Sequence, residues 1–106
     1  MSLSTHVLDA VSGRPAIGVA VTLSDAAGTT LATAVTNEDG RVARLGDDLA
    51  AGVHRLHFDT GSYFAANDVP AFYPEIVIAF EITDTAGHYH VPVLLSPYAY
   101  STYRGS

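Results

Sequence analysis

Three stretches of this chain carry side chains able to bind or turn over a ligand. His88-Tyr89-His90 sets two imidazoles two residues apart, and in an extended chain that spacing sends both to one face. Such a pair is either two surface histidines or part of a metal site, for which spacing identifies no third ligand. His6 stands alone in the first patterned segment, where a single strand histidine is usually structural or exposed. The third stretch is Tyr100-Ser101-Thr102-Tyr103-Arg104-Gly105-Ser106, an aromatic-rich strand pattern where chains commonly fray. Packing of those tyrosines would hold the last residues in a fixed place; the alternative is an edge strand and a short tail. No nucleophile elbow, phosphate loop or metal motif accompanies them. The residues alone reach a β-sandwich with a candidate histidine site.

Strands must position these groups. Apolar and polar residues alternate through Leu3–Leu8, Val19–Ser24 and Leu31–Val35, with turn residues between the runs, the pattern of a sandwich or barrel. Asn37-Glu38-Asp39-Gly40 reads as a turn, followed by a short strand from Arg41 to about Leu45. A fifth strand runs from about Gly52 to Asp59, with Val53, Arg55 and His57 on one face and His54, Leu56 and Phe58 on the other. Thr60–Asn67 is the one candidate helical turn. Glu75–Asp84, His88–Leu95 and Tyr98–Arg104 complete a set of eight strands. Pro92 has no N–H to give to a ladder, which predicts an edge or a bulge at that point.

Composition sets the bounds. A chain of 106 residues fits one domain, 1–106, with one core. Hydrophobic residues are 48% of the chain and charged residues only 15%, which argues for a folded globular protein and against disorder; the low charge favours burial of some surface by self-association. The net charge is −6, lysine is absent, and Arg14, Arg41, Arg44, Arg55 and Arg104 are scattered. No basic stripe exists to follow a phosphate backbone, so nucleic acid is not an expected partner. Apolar runs are too short to span a bilayer as helices. Cysteine is absent, which excludes a disulfide scaffold, a thiolate zinc site and a cysteine nucleophile. No charged segment followed by an apolar one opens the chain, so a cytoplasmic protein is expected.

Several segments resemble one family, in that family's order. Ser4-Thr5-His6-Val7-Leu8-Asp9 with Gly13-Arg14-Pro15-Ala16, Thr36-Asn37-Glu38-Asp39-Gly40-Arg41, Phe72-Tyr73-Pro74-Glu75, His88 through Pro97, and Tyr103-Arg104-Gly105-Ser106 are similar to the transthyretin-like 5-hydroxyisourate hydrolases. Leu94 to Tyr98 and Tyr100-Ser101-Thr102 are shared with transthyretin, a hormone carrier, and point to the fold alone. His6, Arg41, His90 and the last tetrapeptide separate hydrolase from carrier. Ala99 departs from the glycine usual in the hydrolases and removes no chemical group.

The resemblance implies an all-β, transthyretin-like sandwich of eight strands in two sheets with one short helix. It implies hydrolysis of the cyclic amide of 5-hydroxyisourate in urate breakdown, by a homotetramer without metal or organic cofactor. The implied catalytic set is His6, Arg41, His90 and Ser106, with His6, Arg41, Tyr103, Arg104 and Gly105 binding substrate. A histidine suits the base because its ordinary pKa lies near neutrality, and either His90 or His6 can fill that role. Arginine is always charged and offers several donors to carbonyls and to a developing oxyanion. His88 is assigned a supporting role, and His54 and His57 none. The competing reading is a small-molecule carrier, which needs apolar walls where these polar groups stand.

Overall fold

Alternation in the first segment produces a strand with one buried face. The computed structural model describes all residues, Met1–Ser106. In β1 (Ser2–Asp9), Leu3, Thr5 and Val7 are buried while Ser2, Ser4 and His6 face outward. The same two-residue period builds β3 (Ala20–Asp25), β4 (Thr30–Val35), β6 (Gly52–Phe58), β7 (Ile76–Ile82) and β8 (His88–Leu95). Three shorter strands, β2 (Arg14–Pro15), β5 (Arg41–Val42) and β9 (Tyr100–Thr102), complete nine segments. The ninth, unforeseen in the sequence, is β2. Asp9 accepts the Val11 and Ser12 amides at 2.9 and 3.2 Å and turns the chain back onto β1, pairing Leu8 with Pro15.

The strands form two sheets. One runs β2-β1-β8-β9, with β5 also paired to β1; the other runs β4-β3-β6-β7. Their inner faces meet in a core that includes Leu3, Val7, Val21, Leu23, Leu56, Phe58, Ile76, Ile82, Val93 and Leu95. Each such side chain, fully buried, contributes about 1.5–3 kcal/mol. Thr60–Asn67 is more helical than expected. It forms two turns, α1 (Thr60–Ala66), capped by the Asp59 carboxylate accepting the Ser62 amide. The helix is tied to the end of β1 where the Tyr63 hydroxyl donates to Asp9 at 2.9 Å. No helix is long and apolar enough to cross a membrane.

Pro92 corrects one expectation. Its strand β8 is interior, parallel to β1 on one side and antiparallel to β9 on the other, with no bulge. The proline is tolerated because of its parity. Leu95 turns its carbonyl to the β1 side, accepting the Ala10 amide, whereas His90 accepts the Gly105 amide from the opposite side. A donor at position 92 would therefore face the last strand. That ladder stops at Val93↔Thr102 and resumes as a single bridge at His90↔Gly105, so the missing N–H falls in the gap. Thr102 Oγ1 donates to the Pro92 carbonyl at 2.8 Å and closes it.

Candidate active site

The outward face of β1 and β8 collects the polar groups. Parallel register sets Ser2 beside His88 and Ser4 beside His90. The Ser4 hydroxyl lies 2.7 Å from His90 Nδ1, and Ser2 bonds His88 in the same way. The two imidazole planes lie 11° apart with centroids at 6.5 Å, as the two-residue spacing requires. No third histidine, cysteine or carboxylate joins them in a group able to hold a metal ion. The serines were missed in the sequence. Nothing in Ser2 or Ser4 marks a role until β1 is known to run parallel to β8 in this register.

Arg41 arrives from the other edge of β1. Asn37 makes the approach: its side-chain oxygen accepts the Asp39 amide at 2.9 Å and the Arg41 amide at 3.0 Å. Gly40 then adopts φ +71°, and a Cβ there would lie 2.4 Å from the Val7 carbonyl oxygen. Only glycine allows that close approach, which lets the Gly40 carbonyl accept the Val7 amide at 2.7 Å. Arg41 thereby pairs with His6 across β5 and β1. It forms no salt bridge to a carboxylate, the ion pairs of the chain being Arg44–Asp47 and His57–Glu75. Its guanidinium is a free cation on the face that carries His6 and His90.

His90 is held below its ordinary pKa, first by burial and next by the Arg41 charge, with smaller contributions from His6 and His88; a backbone hydrogen bond to Ser4 pulls the other way. Arg41 stands two strands away at the backbone, roughly 10 Å at the usual inter-strand spacing. Its charge nonetheless acts on His90 across the shared outward face. A neutral imidazole beside a fixed cation is equipped to accept a proton where negative charge will develop.

The last residues divide between two faces. Continuing the β9 register places Gly105 opposite His90, and the Gly105 amide donates to the His90 carbonyl at 2.9 Å. A Cβ on Gly105 would lie 2.3 Å from the imidazole Cδ2, so the ring rests directly on this glycine. Tyr103 falls on the His90 side by strand parity. Arg104 does not: its guanidinium lies over the Tyr89 ring, 4.8 Å from the centroid, on the inward side of β8. Ser106 is exposed and makes no side-chain hydrogen bond. The fold thus gathers His6, Arg41, His90, Tyr103 and Gly105 on one face, while Arg104 turns away and Ser106 stands one residue beyond. His54 is buried on the inner face of β6 with Nδ1 3.0 Å from the Gly52 carbonyl oxygen, and His57 lies on the outer face of the other sheet, 3.3 Å from Glu75.

The model of the HIUase/Transthyretin family matches residues 3–105. The chain belongs to that family. Within it, the chain is 49% identical to the 5-hydroxyisourate hydrolase of Salmonella typhimurium, over 98% of this chain and 80% of that protein. The solved Klebsiella pneumoniae 5-hydroxyisourate hydrolase superposes with a TM-score of 0.93 at 44% identity, each chain fully covered. Sea bream transthyretin, solved in complex with thyroxine, superposes nearly as well, with a TM-score of 0.92 at 34% identity over 99% of this chain and 95% of that one. Backbone shape therefore does not separate hydrolase from carrier within the HIUase/Transthyretin family.

Proposed function

We propose that this protein hydrolyses the cyclic amide of 5-hydroxyisourate to 2-oxo-4-hydroxy-4-carboxy-5-ureidoimidazoline in urate catabolism. The observation that carries the reading is one outward face that holds His90 on Ser4 at 2.7 Å and sets Arg41, free of any carboxylate, opposite His6. In the proposed step, the His90 Nδ1–H donates a hydrogen bond to the Ser4 hydroxyl, leaving the Nε2 lone pair free. Water adds to the substrate carbonyl carbon as Nε2 takes one water proton. Arg41 offsets the oxyanion and holds the neighbouring carbonyls. The C–N bond then breaks and the imidazolium returns the proton to the leaving nitrogen. His6, paired with Arg41, helps orient the water. Tyr103, Gly105 and Ser106 border the site. No step calls for a metal or a redox group.

A carrier reading has less support, because Ser4, His6, Arg41, His88 and His90 make this face polar where an apolar ligand would need greasy walls. We further propose that the working form is a homotetramer. In the single chain, Val11, Ile17, Tyr98 and Tyr103 are 72%, 56%, 68% and 59% exposed, more apolar surface than isolated side chains explain. Sedimentation velocity at micromolar concentration tests the tetramer, and a monomer would remove it.

The decisive assay generates 5-hydroxyisourate in place with urate oxidase and follows its decay. Wild-type protein should accelerate the decay, and His90→Ala should lose about 10²–10⁴ of that acceleration. No acceleration by folded wild type would end the enzyme reading.

A further inference from the structure

Tyr89 occupies an unusual crossing. Its ring is buried, 5% exposed, and its hydroxyl accepts two backbone amides, Thr83 and Asp84, each at 3.0 Å. Those residues begin the turn from β7 to β8, so Tyr89 bolts one sheet to the other. Gly87 packs close to one ring edge, where a Cβ would lie 3.3 Å from the ring. The Arg104 guanidinium sits over the ring face, with no carboxylate in salt-bridge range. The next residue along each chain is then decisive: His90 follows Tyr89, Gly105 follows Arg104, and these two meet on the opposite face. Beyond Thr102 the regular ladder has ended.

We propose that Tyr89 is a positioning residue, its ring seating Arg104 and thereby holding Gly105 against the His90 imidazole. Its effect on turnover rests on the hydrolase reading; its effect on the tail does not. The cation stacked on the aromatic face supplies the grip, and the two amides that hold the phenol oxygen keep the ring from turning. The Thr83 hydroxyl first, and then the Asp84 and Thr83 amides and the Arg104 charge, hold the Tyr89 phenol below its ordinary pKa, against the opposing effect of burial.

The test uses the full chain with Tyr89→Phe, Tyr89→Leu, Arg104→Lys and Arg104→Gln. The first readout is amide exchange at Gly105, whose N–H is bonded to the His90 carbonyl. Arg104→Gln and Tyr89→Leu should each speed it about two- to five-fold, the range of a partly exposed cation–π contact. Arg104→Lys and Tyr89→Phe should restore most of the protection, and the Leu/Gln double variant should be no worse than either single one. The second readout is 5-hydroxyisourate decay, in which KM should rise in the variants that loosen Gly105. Arg104 has an exposed side chain, so Arg104→Gln folds even if Tyr89→Leu does not. Unchanged Gly105 exchange in Arg104→Gln would overturn the proposal, and so would a rise in KM without faster exchange. An inactive wild type would sink the hydrolase reading, while the exchange comparison would still decide the role of Tyr89.

Discussion

Two outward faces of this sandwich carry histidine and arginine, yet only one assembles them. On the β3–β6–β7 face, His57 stands between Thr22 and Val77, and Arg55 between Ser24 and Ala79. His57 reaches Glu75 at 3.3 Å with both side chains well exposed, and Arg55 reaches only the Ala26 carbonyl at 3.4 Å. Exposed pairs of this kind contribute about 0–1 kcal/mol. On the β5–β1–β8 face, each functional group instead meets a chosen neighbour: Ser4 for His90, His6 for Arg41, Gly105 under the ring. Half-burial and an unneutralised arginine then shift the imidazole. Under the proposed function, the same residue types become chemistry where register aligns them and a carboxylate is kept away.

The sharpest way to break this contrast is to remove the free cation. Arg41→Gln should lower kcat/KM for 5-hydroxyisourate about 10²–10³-fold, the usual range for loss of an oxyanion donor. It should also move the acid limb of the pH profile upward. In the proposed reaction His90 acts unprotonated; its pKa is depressed by burial and then by Arg41, so without that charge it should protonate at higher pH. An acid limb that stays in place would show that the Arg41 charge does not reach His90.

Next in size is Gly105→Ala. The added methyl would overlap the imidazole at 2.3 Å, forcing the ring off Ser4. Misplacement on the order of 1 Å costs about 10²-fold, so steady-state kinetics should show that loss with little change in the circular dichroism spectrum. Wild-type kcat would refute the contact. Gly40→Ala tests the approach of Arg41. A left-handed alanine costs about 1–2 kcal/mol, and its methyl would also press on the Val7 carbonyl oxygen. The urea midpoint should fall and activity drop roughly 10-fold as Arg41 shifts; unchanged values for both would mean the turn does not set Arg41.

The smallest effect belongs to the opposite face. His57→Ala should change kcat/KM less than about twofold and stability by no more than about 1 kcal/mol. A large activity loss there would mean that the two faces are not functionally distinct.

Much of this was legible before any coordinates. Alternation marked the long strands, the two faces of β6 and the opposed sides of His54 and His57, because side chains of a half-buried strand must alternate. The Asn37–Gly40 turn was legible because its side-chain acceptor and its glycine leave few other conformations. Shorter elements were harder. β2 spans two residues, too few to show a period, and α1 is short enough that its cap and its bond to Asp9 stabilise it more than its composition does. Pro92 was misplaced because the rule about proline concerns which side its missing donor faces, and parity alone does not give that side.

By itself, the sequence determined the two-sheet β class, the shared outward face of His88 and His90, the turn that delivers Arg41, and membership in a family whose motifs these residues carry. Tertiary structure decided the rest. The parallel pairing of β1 with β8 brings Ser4 to His90 across 86 positions of chain, and local pattern holds no record of a partner so remote. The same pairing, with the bridge at Gly105, decided that Gly105 borders the imidazole while Arg104 turns inward onto Tyr89. Which face a tail residue joins depends on register with another strand, and register exists only once the sheets have closed on their common core.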